Sequence, residues 1–378
     1  MGLPFDYAAR NLARRRLRTV LTGASTALVA ALFVAVAAFV RGLEATFSGA
    51  AREDTALLLS SAAERDVVRS TVDPGLAQFV TADVPGVLAA SSEIHMGTTV
   101  RLADGQEGPG FVRGVTTDAY AVHDALTVTE GRLPSVGEVL VGRLVARQLG
   151  VEEAALAVGS TVHIEGSTFT VAGRFVAPGT TLEAEIWTPL EPLRGLTQRD
   201  DSSVVFVRVE DPRVLPRLEL FTKRRLDLEL AMIPSAEYYR ELADYFRPIQ
   251  GLALGLAVLV GLAGLFGGAN TMAATVADRV RELAALRAVG FTAGALSWSI
   301  ALESLLLCAG GGVLGLAVAR LALAGGAVRL AMSAFELRID AFAVLVGFGG
   351  ALALGVAGAL PAAWRVLRLP IAAALKED

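Results

Sequence analysis

Four long apolar runs divide the chain, one near its start and three in its last third. They cover residues 19–40, 249–270, 293–319 and 341–364. A helix needs roughly 20 apolar residues to cross a hydrocarbon core of about 30 Å, and each run meets that length. The pattern therefore predicts four transmembrane α-helices.

The long segment between the first two runs has a different pattern, with short strands and a few helices. Residues 161–165 and 168–175 alternate apolar and polar positions around Gly166 and Ser167, which predicts a hairpin. Residues 235–247 read as a helix that continues without a break into the second run. Strands mixed with helices predict an α+β domain in two lobes, inserted between spans 1 and 2.

Composition agrees with a membrane protein. The chain is 53% hydrophobic with a mean hydropathy of +0.54, which is too apolar for a wholly soluble protein. The single cysteine, Cys308, lies in the third run, so a disulfide framework is excluded. The formal net charge is −4, and we expect no nucleic-acid partner.

Basic residues indicate the orientation. Arginine is concentrated before the first run, in the 272–292 loop and after the fourth run, whereas residues 44–247 carry an excess of acidic residues. Because short flanks rich in Lys and Arg stay in the cytoplasm, we expect both termini and this loop there, and the long segment outside. A cleavable signal peptide is the alternative for the first run, but signal peptides have an apolar region of roughly 7–15 residues. The longer run favours a retained span.

A short charged stretch, VADRVRELAALRAVGFT at 276–292, separates the second and third runs. Val280, Leu283 and Ala284 recur at helical spacing, which predicts a helix with one mostly apolar side. Gly290 is a suitable residue to end it. From these residues alone, the helix is either a connector at the membrane surface or a segment gripped by another protein, which would cover the apolar side.

The same stretch resembles the signature of FtsX/MacB-type permeases of ABC transporters, which reads roughly N-x-M-x-x-x-V-x-E-R-x-R-E-I-G-x-L-R-A-L-G. This chain departs from it with Asp278 for Glu, Leu283-Ala284 for Ile-Gly and Val289 for Leu. Further patches at 3–23, 130–190 and 359–375 resemble the family's N-terminal helix, MacB-type periplasmic core domain and fourth span.

The resemblance implies a division of the chain into nine segments: a cytoplasmic amphipathic N-terminal helix (1–18), transmembrane helix 1 (19–40), an extracytoplasmic MacB-like core domain (41–247), transmembrane helix 2 (248–271), a cytoplasmic coupling helix (272–292), transmembrane helix 3 (293–319), a short extracytoplasmic loop (320–340), transmembrane helix 4 (341–364) and a cytoplasmic tail (365–378). It implies a multi-pass protein of the bacterial cytoplasmic (inner) membrane.

Eight residues of the coupling helix match or adjoin the signature, and the resemblance implies that they contact a cytoplasmic ATPase. They are Asp278, Arg279, Arg281, Glu282, Leu283, Leu286, Arg287 and Gly290. The partners implied are a dimer of a separate ABC ATPase, a second permease copy or a paralogue, membrane lipid, and an extracytoplasmic adaptor or substrate protein.

One carboxylate and several glycines stand out within the spans. Glu303 is the only ionisable residue in the third run, and such residues usually face the interior of a helix bundle. It is either a helix–helix or conformational determinant, or a protonated carboxyl bonded to a neighbour such as a serine. Small residues four apart allow helices to approach closely, and three pairs are candidates for helix or dimer packing: Gly251/Gly255, Gly264/Gly268 and Gly311/Gly315.

Catalytic motifs are lacking. Neither Lys223 nor Lys376 follows a glycine, so no P-loop occurs, and ATP and magnesium would be bound by the ATPase. His95, His123 and His163 share no metal-ligand spacing, and we expect neither a catalytic nor a metal site in this chain.

The sequence thus predicts a permease subunit that couples ATP hydrolysis by another subunit to movement of the outer domain, for export, lipoprotein release or efflux. One alternative is an FtsX-like regulator of an extracytoplasmic cell-wall enzyme. Another is a secondary transporter, which would show an internal repeat and broken helices.

Overall fold

The computed structural model describes residues 16–330 and 333–368. The predicted N-terminal helix (1–18) and cytoplasmic tail (365–378) lie largely outside the described residues. The chain divides into two compact units. The membrane unit comprises residues 16–41, 248–326 and 337–368, and the outer unit comprises residues 42–247 and 327–336.

The α-helices are, in chain order, α1 (Arg16–Ala50), α2 (Leu76–Asp83), α3 (Ala119–Val122), α4 (Val145–Leu149), α5 (Leu190–Thr197), α6 (Leu215–Arg224), α7 (Ser235–Tyr245), α8 (Arg247–Ala277), α9 (Val280–Ala288), α10 (Ala293–Leu323) and α11 (Ala341–Leu367). The strands are β1 (Thr55–Ser60), β2 (Val87–Leu102), β3 (Glu107–Val115), β4 (Thr127–Gly131), β5 (Glu138–Gly142), β6 (Thr161–Ile164), β7 (Ser167–Val176), β8 (Glu185–Pro189), β9 (Val204–Val209), β10 (Leu230–Pro234), β11 (Ala327–Leu330) and β12 (Ser333–Glu336).

Four helices within the described residues, α1, α8, α10 and α11, are long and apolar enough to cross a membrane. Each contains one of the four apolar runs, and the α+β unit follows the first of them in sequence. The predicted fold class is therefore confirmed. The helices are longer than the runs, with 35, 31, 31 and 27 residues, because helical backbone continues beyond the apolar positions.

The expected unbroken helix from residue 235 into the second span is wrong in one detail. The helix is interrupted at Phe246, between the end of α7 and the start of α8. Pro248 explains the break, since it has no N–H to donate to the carbonyl of Asp244 and its ring would clash with that group.

The outer unit is built on a ten-stranded mixed sheet with the order β10-β1-β9-β2-β3-β8-β5-β7-β4, and β6 pairs with β2 and β7. The predicted hairpin at Gly166 is present as β6–β7. Its two turn residues, Glu165 and Gly166, both have positive φ, as a two-residue turn of this hand requires. The apolar run of β1 is buried on both faces, as expected for a strand covered on both sides.

Strand β2 joins the two predicted lobes. On one edge of β2, residues 87–93 pair with β9 and residues 100–102 pair with β6. On the other edge, residues 93–101 pair with β3. One apolar core surrounds Leu58, Val80 and Val207, and another surrounds Ile94, Val141 and Ile186. The lobes therefore share one continuous sheet rather than forming separate sheets.

The segment between α10 and α11 contains the hairpin β11–β12, which belongs to the outer unit. Ala334 is buried with Leu144 and Ala184, and Glu336 pairs with Arg143 at 2.9 Å. The predicted short loop is thus partly a folded element.

The glycine pairs of the spans have different surroundings within the membrane unit. A Cβ at Gly311 would lie 2.8 Å from the carbonyl oxygen of Gly23 and 2.8 Å from Thr26 Cβ, and Gly315 approaches Ala27 and Ala30 in the same way. These two glycines allow α10 to pack closely against α1.

The other pairs are more open. A Cβ at Gly264 would lie 3.1 Å from Val29 on α1, whereas one at Gly251, Gly255 or Gly268 would meet nothing within 4 Å. Among the residues that the structure describes, Gly251 and Gly255 therefore take no part in close helix packing, whereas the backbone of Gly268 approaches Gly358 of α11.

We predict that Gly311→Ala destabilises the membrane unit by about 1–3 kcal/mol, because the added methyl overpacks the contact with α1. Gly310→Ala is the matched control, since a Cβ there meets nothing within 4 Å, and alanine is favoured over glycine in a helix. Thermal unfolding of the purified protein in lipid nanodiscs measures both. Equal midpoints for the two variants would contradict the packing described.

Candidate functional site

The short charged helix α9 lies between two membrane helices in the sequence. Only Asp278 and Arg279 separate it from α8, and four residues separate it from α10. Gly290 adopts φ +108°, a conformation that favours glycine. The side-chain oxygen of Thr292 accepts a hydrogen bond from the N–H of Ala295 at 3.2 Å, which caps α10. The turn between the end of α9 and the start of α10 is therefore defined by local interactions.

The apolar side of α9 packs within the chain itself. Leu283 is 3% exposed and lies in a cluster drawn from the ends of the three neighbouring helices. That cluster contains Met272 and Val276 of α8, Leu296 and Ile300 of α10, and Ala362 and Val366 of α11. The expectation that another protein covers this side is therefore wrong, since the ends of these helices already bury it.

The predicted contact residues consequently divide into two groups. Six of them are accessible: four are exposed (Asp278, Arg281, Glu282 and Gly290) and two are half-buried (Leu286 and Arg287). The other two, Leu283 and Arg279, are buried. Another protein can contact the accessible residues directly. The side chains of Leu283 and Arg279 instead pack against neighbouring helices of the same chain.

Arg279 forms a buried ion pair with Glu303. Its Nη1 lies 3.3 Å from Glu303 Oε2, and its Nε lies 3.1 Å from Glu282 Oε2. The Arg279 side chain is 6% exposed and that of Glu303 is 10% exposed. Of the two interpretations of Glu303, the structure favours the helix–helix determinant, because this pair joins the start of α9 to α10.

Two serines of α10 add polar contacts to α11. Ser297 Oγ donates to the carbonyl of Ala363 at 3.0 Å, and Ser304 Oγ donates to that of Gly355 at 2.7 Å. Together with the ion pair they connect α9, α10 and α11 through hydrogen bonds as well as apolar packing.

The outer unit contains a second buried group of charges that the sequence did not indicate. Glu93 of β2 is fully buried and accepts hydrogen bonds from three donors: His95 Nε2 at 3.0 Å, His123 Nε2 at 2.9 Å and Arg113 Nη1 at 2.8 Å. Arg113 also donates two bonds to Glu185, at 2.7 and 2.8 Å. Pairing across β2, β3 and β8 brings these residues together.

Opposing effects act on the ionisation of this group. Burial disfavours charged Glu93, but the charges of His123 and Arg113 and the hydrogen bonds from both imidazoles outweigh it and hold its pKa well below the ordinary value. Burial and the charge of Arg113 lower the pKa of His95. Among the described residues, no group of histidine, cysteine and acidic side chains is arranged to hold a metal ion.

Comparisons with known proteins assign the class. Residues 19–219 match the model of the MacB-like periplasmic core domain, and residues 254–371 match that of the FtsX-like permease C-terminal domain. The chain belongs to the FtsX/MacB-type family of ABC transporter permeases. It is a multi-pass membrane protein.

Individual relatives are more distant. The chain is 26% identical over 247 residues to the macrolide export ATP-binding/permease protein MacB of Nitrobacter winogradskyi, covering 61% of this chain and 37% of that protein. It thus spans little more than a third of that relative's length.

Two solved structures are similar to the outer part of the chain. The periplasmic region of MacB from Actinobacillus actinomycetemcomitans has a TM-score of 0.41 and 10% identity, with coverage of 52% of this chain and 94% of that one. The extracellular domain of the noncanonic ABC-type transporter YknZ from Gram-positive bacteria has a TM-score of 0.38 and 15% identity, with coverage of 47% and 99%.

We predict that Glu303→Leu destabilises the membrane unit by about 3 kcal/mol, because it leaves Arg279 buried without this partner. Replacing both residues, Arg279→Met with Glu303→Leu, also removes the buried cation, which Glu282 alone would otherwise have to balance, and should recover most of that loss. Unfolding in lipid nanodiscs provides the double-mutant cycle. Additive losses in the double variant would show that the two side chains do not interact.

We also predict that the outer unit loses stability as the pH falls below about 6.5, the unfolded pKa of histidine. Since the pKa of His95 is lowered by folding, the unfolded state binds more protons there, and the loss is about 1.4 kcal/mol per pH unit for one proton. The low pKa of Glu93 adds a further loss below about pH 4.3, the ordinary pKa of Glu.

The thermal midpoint of the full chain between pH 8 and pH 5 tests this, with His95→Asn expected to flatten the profile. His163→Asn is the control, since His163 is half-buried on β6 and its Nδ1 bonds to Thr168 at 2.9 Å. An unchanged slope in His95→Asn, or a midpoint that rises on acidification, would contradict the assignment.

Proposed function

We propose that this chain is the membrane subunit of an ABC complex and that a dimer of a separate cytoplasmic ATPase grips α9 through its exposed side. The proposal rests on one observation: one side of α9 is buried within the chain and the other side is exposed. Leu283, with Arg279 just before the helix, holds the inner side against α8, α10 and α11. Arg281 and Glu282, with Asp278 just before the helix, are exposed on the outer side. Such a helix can receive a force and pass it to the membrane helices.

The orientation follows from charge. Arg281, Arg287 and the arginines near both chain ends support a cytoplasmic position for α9 and the termini, because basic flanks favour the cytoplasm. ATP and magnesium would be bound by the ATPase subunit. In this arrangement the outer unit lies on the opposite side of the membrane, where it handles the substrate or an adaptor protein.

Coupling in this proposal is mechanical. Closure of the ATPase dimer displaces α9, and the displacement reaches α8 and α10 through the apolar cluster and the Arg279–Glu303 pair. Because α7 precedes α8 with only Phe246 between them, movement of α8 is passed along the chain to the outer unit. The result is a change in the outer unit's conformation, used for export, lipoprotein release or efflux.

A second permease copy completes the proposed complex. Among the residues that the structure describes, a Cβ at Gly251 or Gly255 would meet nothing within 4 Å, so no described neighbour limits a close approach there. Small residues spaced in this way favour packing of two membrane helices. We therefore place the contact between copies on α8.

Co-purification with the ATPase tests the grip. Arg281→Glu with Arg287→Glu reverses the charge of one exposed and one half-buried residue of α9. We predict loss of the ATPase from the purified complex by at least about tenfold, since reversed charge pairs across an interface cost several kcal/mol. Arg213→Glu with Arg217→Glu is the matched control, because both residues are exposed on the outer unit. Stimulation of ATP hydrolysis by the permease provides a second readout.

Retention of the ATPase by both double variants would place the grip elsewhere, with residues 1–18 as the next candidate. Loss of the ATPase from both would indicate a general defect in assembly.

A further inference from the structure

The outer unit contains a cavity of about 520 Å³ that none of the proposed coupling steps uses. It lies among the outer end of α1, helix α7, the sheet and the β11–β12 hairpin. Aromatic side chains form much of its wall, including Phe47, Phe111, Phe206, Tyr238, Tyr239 and Phe246. All of these residues belong to the outer unit.

The floor of the cavity carries buried ionised groups. Arg113 and Glu185 line it, with Glu93 directly behind them. Arg113 is bonded to both carboxylates, so this arginine is already fully engaged by anions.

The rim repeats this arrangement. Arg65 pairs with Glu237 at 2.9 Å and also with Glu241, and both carboxylates extend from α7. Arg65 and Glu241 line the cavity and are about half exposed, at 45% and 51%. Again one arginine faces two carboxylates, which leaves a net negative charge where the cavity meets solvent.

Aromatic faces strengthen the same preference. Each ring has a negative face, which attracts cations. Arg113 already shows this interaction, since its guanidinium carbon lies 5.5 Å from the centre of the Phe206 ring. Tyr238 and Tyr239 pack edge to face at 5.2 Å and present a further aromatic surface on α7.

We propose that this cavity is a binding site for an apolar organic cation, such as an amine or quaternary ammonium group on an aromatic or aliphatic skeleton. The aromatic wall would receive the apolar skeleton, and the excess carboxylate at the rim, where Arg65 faces Glu237 and Glu241, would balance its charge. Anionic ligands are disfavoured because neither arginine is free of carboxylates. This proposal stands apart from the ATPase contact and does not depend on it.

Titration of the full chain in lipid nanodiscs tests the site, with benzyltrimethylammonium as the probe. This cation dissolves in water, and empty nanodiscs correct for binding to lipid. Benzyl alcohol and benzenesulfonate are the neutral and anionic controls. By isothermal titration calorimetry we expect the cation to bind about tenfold more tightly than benzyl alcohol, and benzenesulfonate to bind more weakly than both.

Variants locate the binding. Glu241→Gln should weaken binding of the cation by about fivefold, in keeping with removal of one nearby charge at a partly exposed position. Glu191→Gln is the matched control, since it removes the same charge from an exposed pair with Arg194 away from the cavity. Tyr238→Leu should weaken binding by about as much, whereas Tyr238→Phe, which keeps the ring, should retain it.

Several outcomes would overturn the proposal. They are equal affinity for the cation and the neutral control, preference for the anion, no measurable binding of the cation, or equal effects of Glu241→Gln and Glu191→Gln. Circular dichroism and the thermal midpoint show whether each variant is folded. If Tyr238→Leu does not fold, the Glu241 and Glu191 variants still decide the question.

Discussion

The cost of burying charge is the constraint on which both units depend. An isolated ion buried away from water is unfavourable by several kcal/mol, so it must find an opposite charge and hydrogen bonds. In the membrane unit, Glu303 meets Arg279. In the outer unit, Glu93 and Glu185 meet Arg113. Each group brings together elements that are separate in the sequence, and each requires a particular arrangement of those elements.

The buried ion pair also determines which side of α9 is buried and which is exposed. A helix held only by apolar contacts could slide or rotate with little loss, because such contacts are not directional. The pair between Arg279 and Glu303 specifies one position, and the packing of Leu283 supports it. The exposed side then has a defined orientation relative to α8, α10 and α11.

Parts of the fold could be predicted from local patterns. The apolar runs showed the four long helices, and alternation around Gly166 showed the β6–β7 hairpin, because neighbouring residues alone determine these features. The break at Phe246 had a local signal in Pro248 that the helical periodicity outweighed. The proposed coupling residues were predicted from a motif, but the motif does not distinguish the buried Leu283 and Arg279 from the exposed Arg281.

The sequence by itself determined where the chain can cross a membrane, since hydrophobicity adds up along consecutive residues and needs no distant partner. It also determined that a charged helix lies between the second and third spans. Only the tertiary structure decided which charges meet. His95, Arg113, His123 and Glu185 share no spacing, yet strand pairing and the packing of α3 collect them around Glu93. Such contacts depend on the register and pairing of whole elements, which no short stretch of sequence contains.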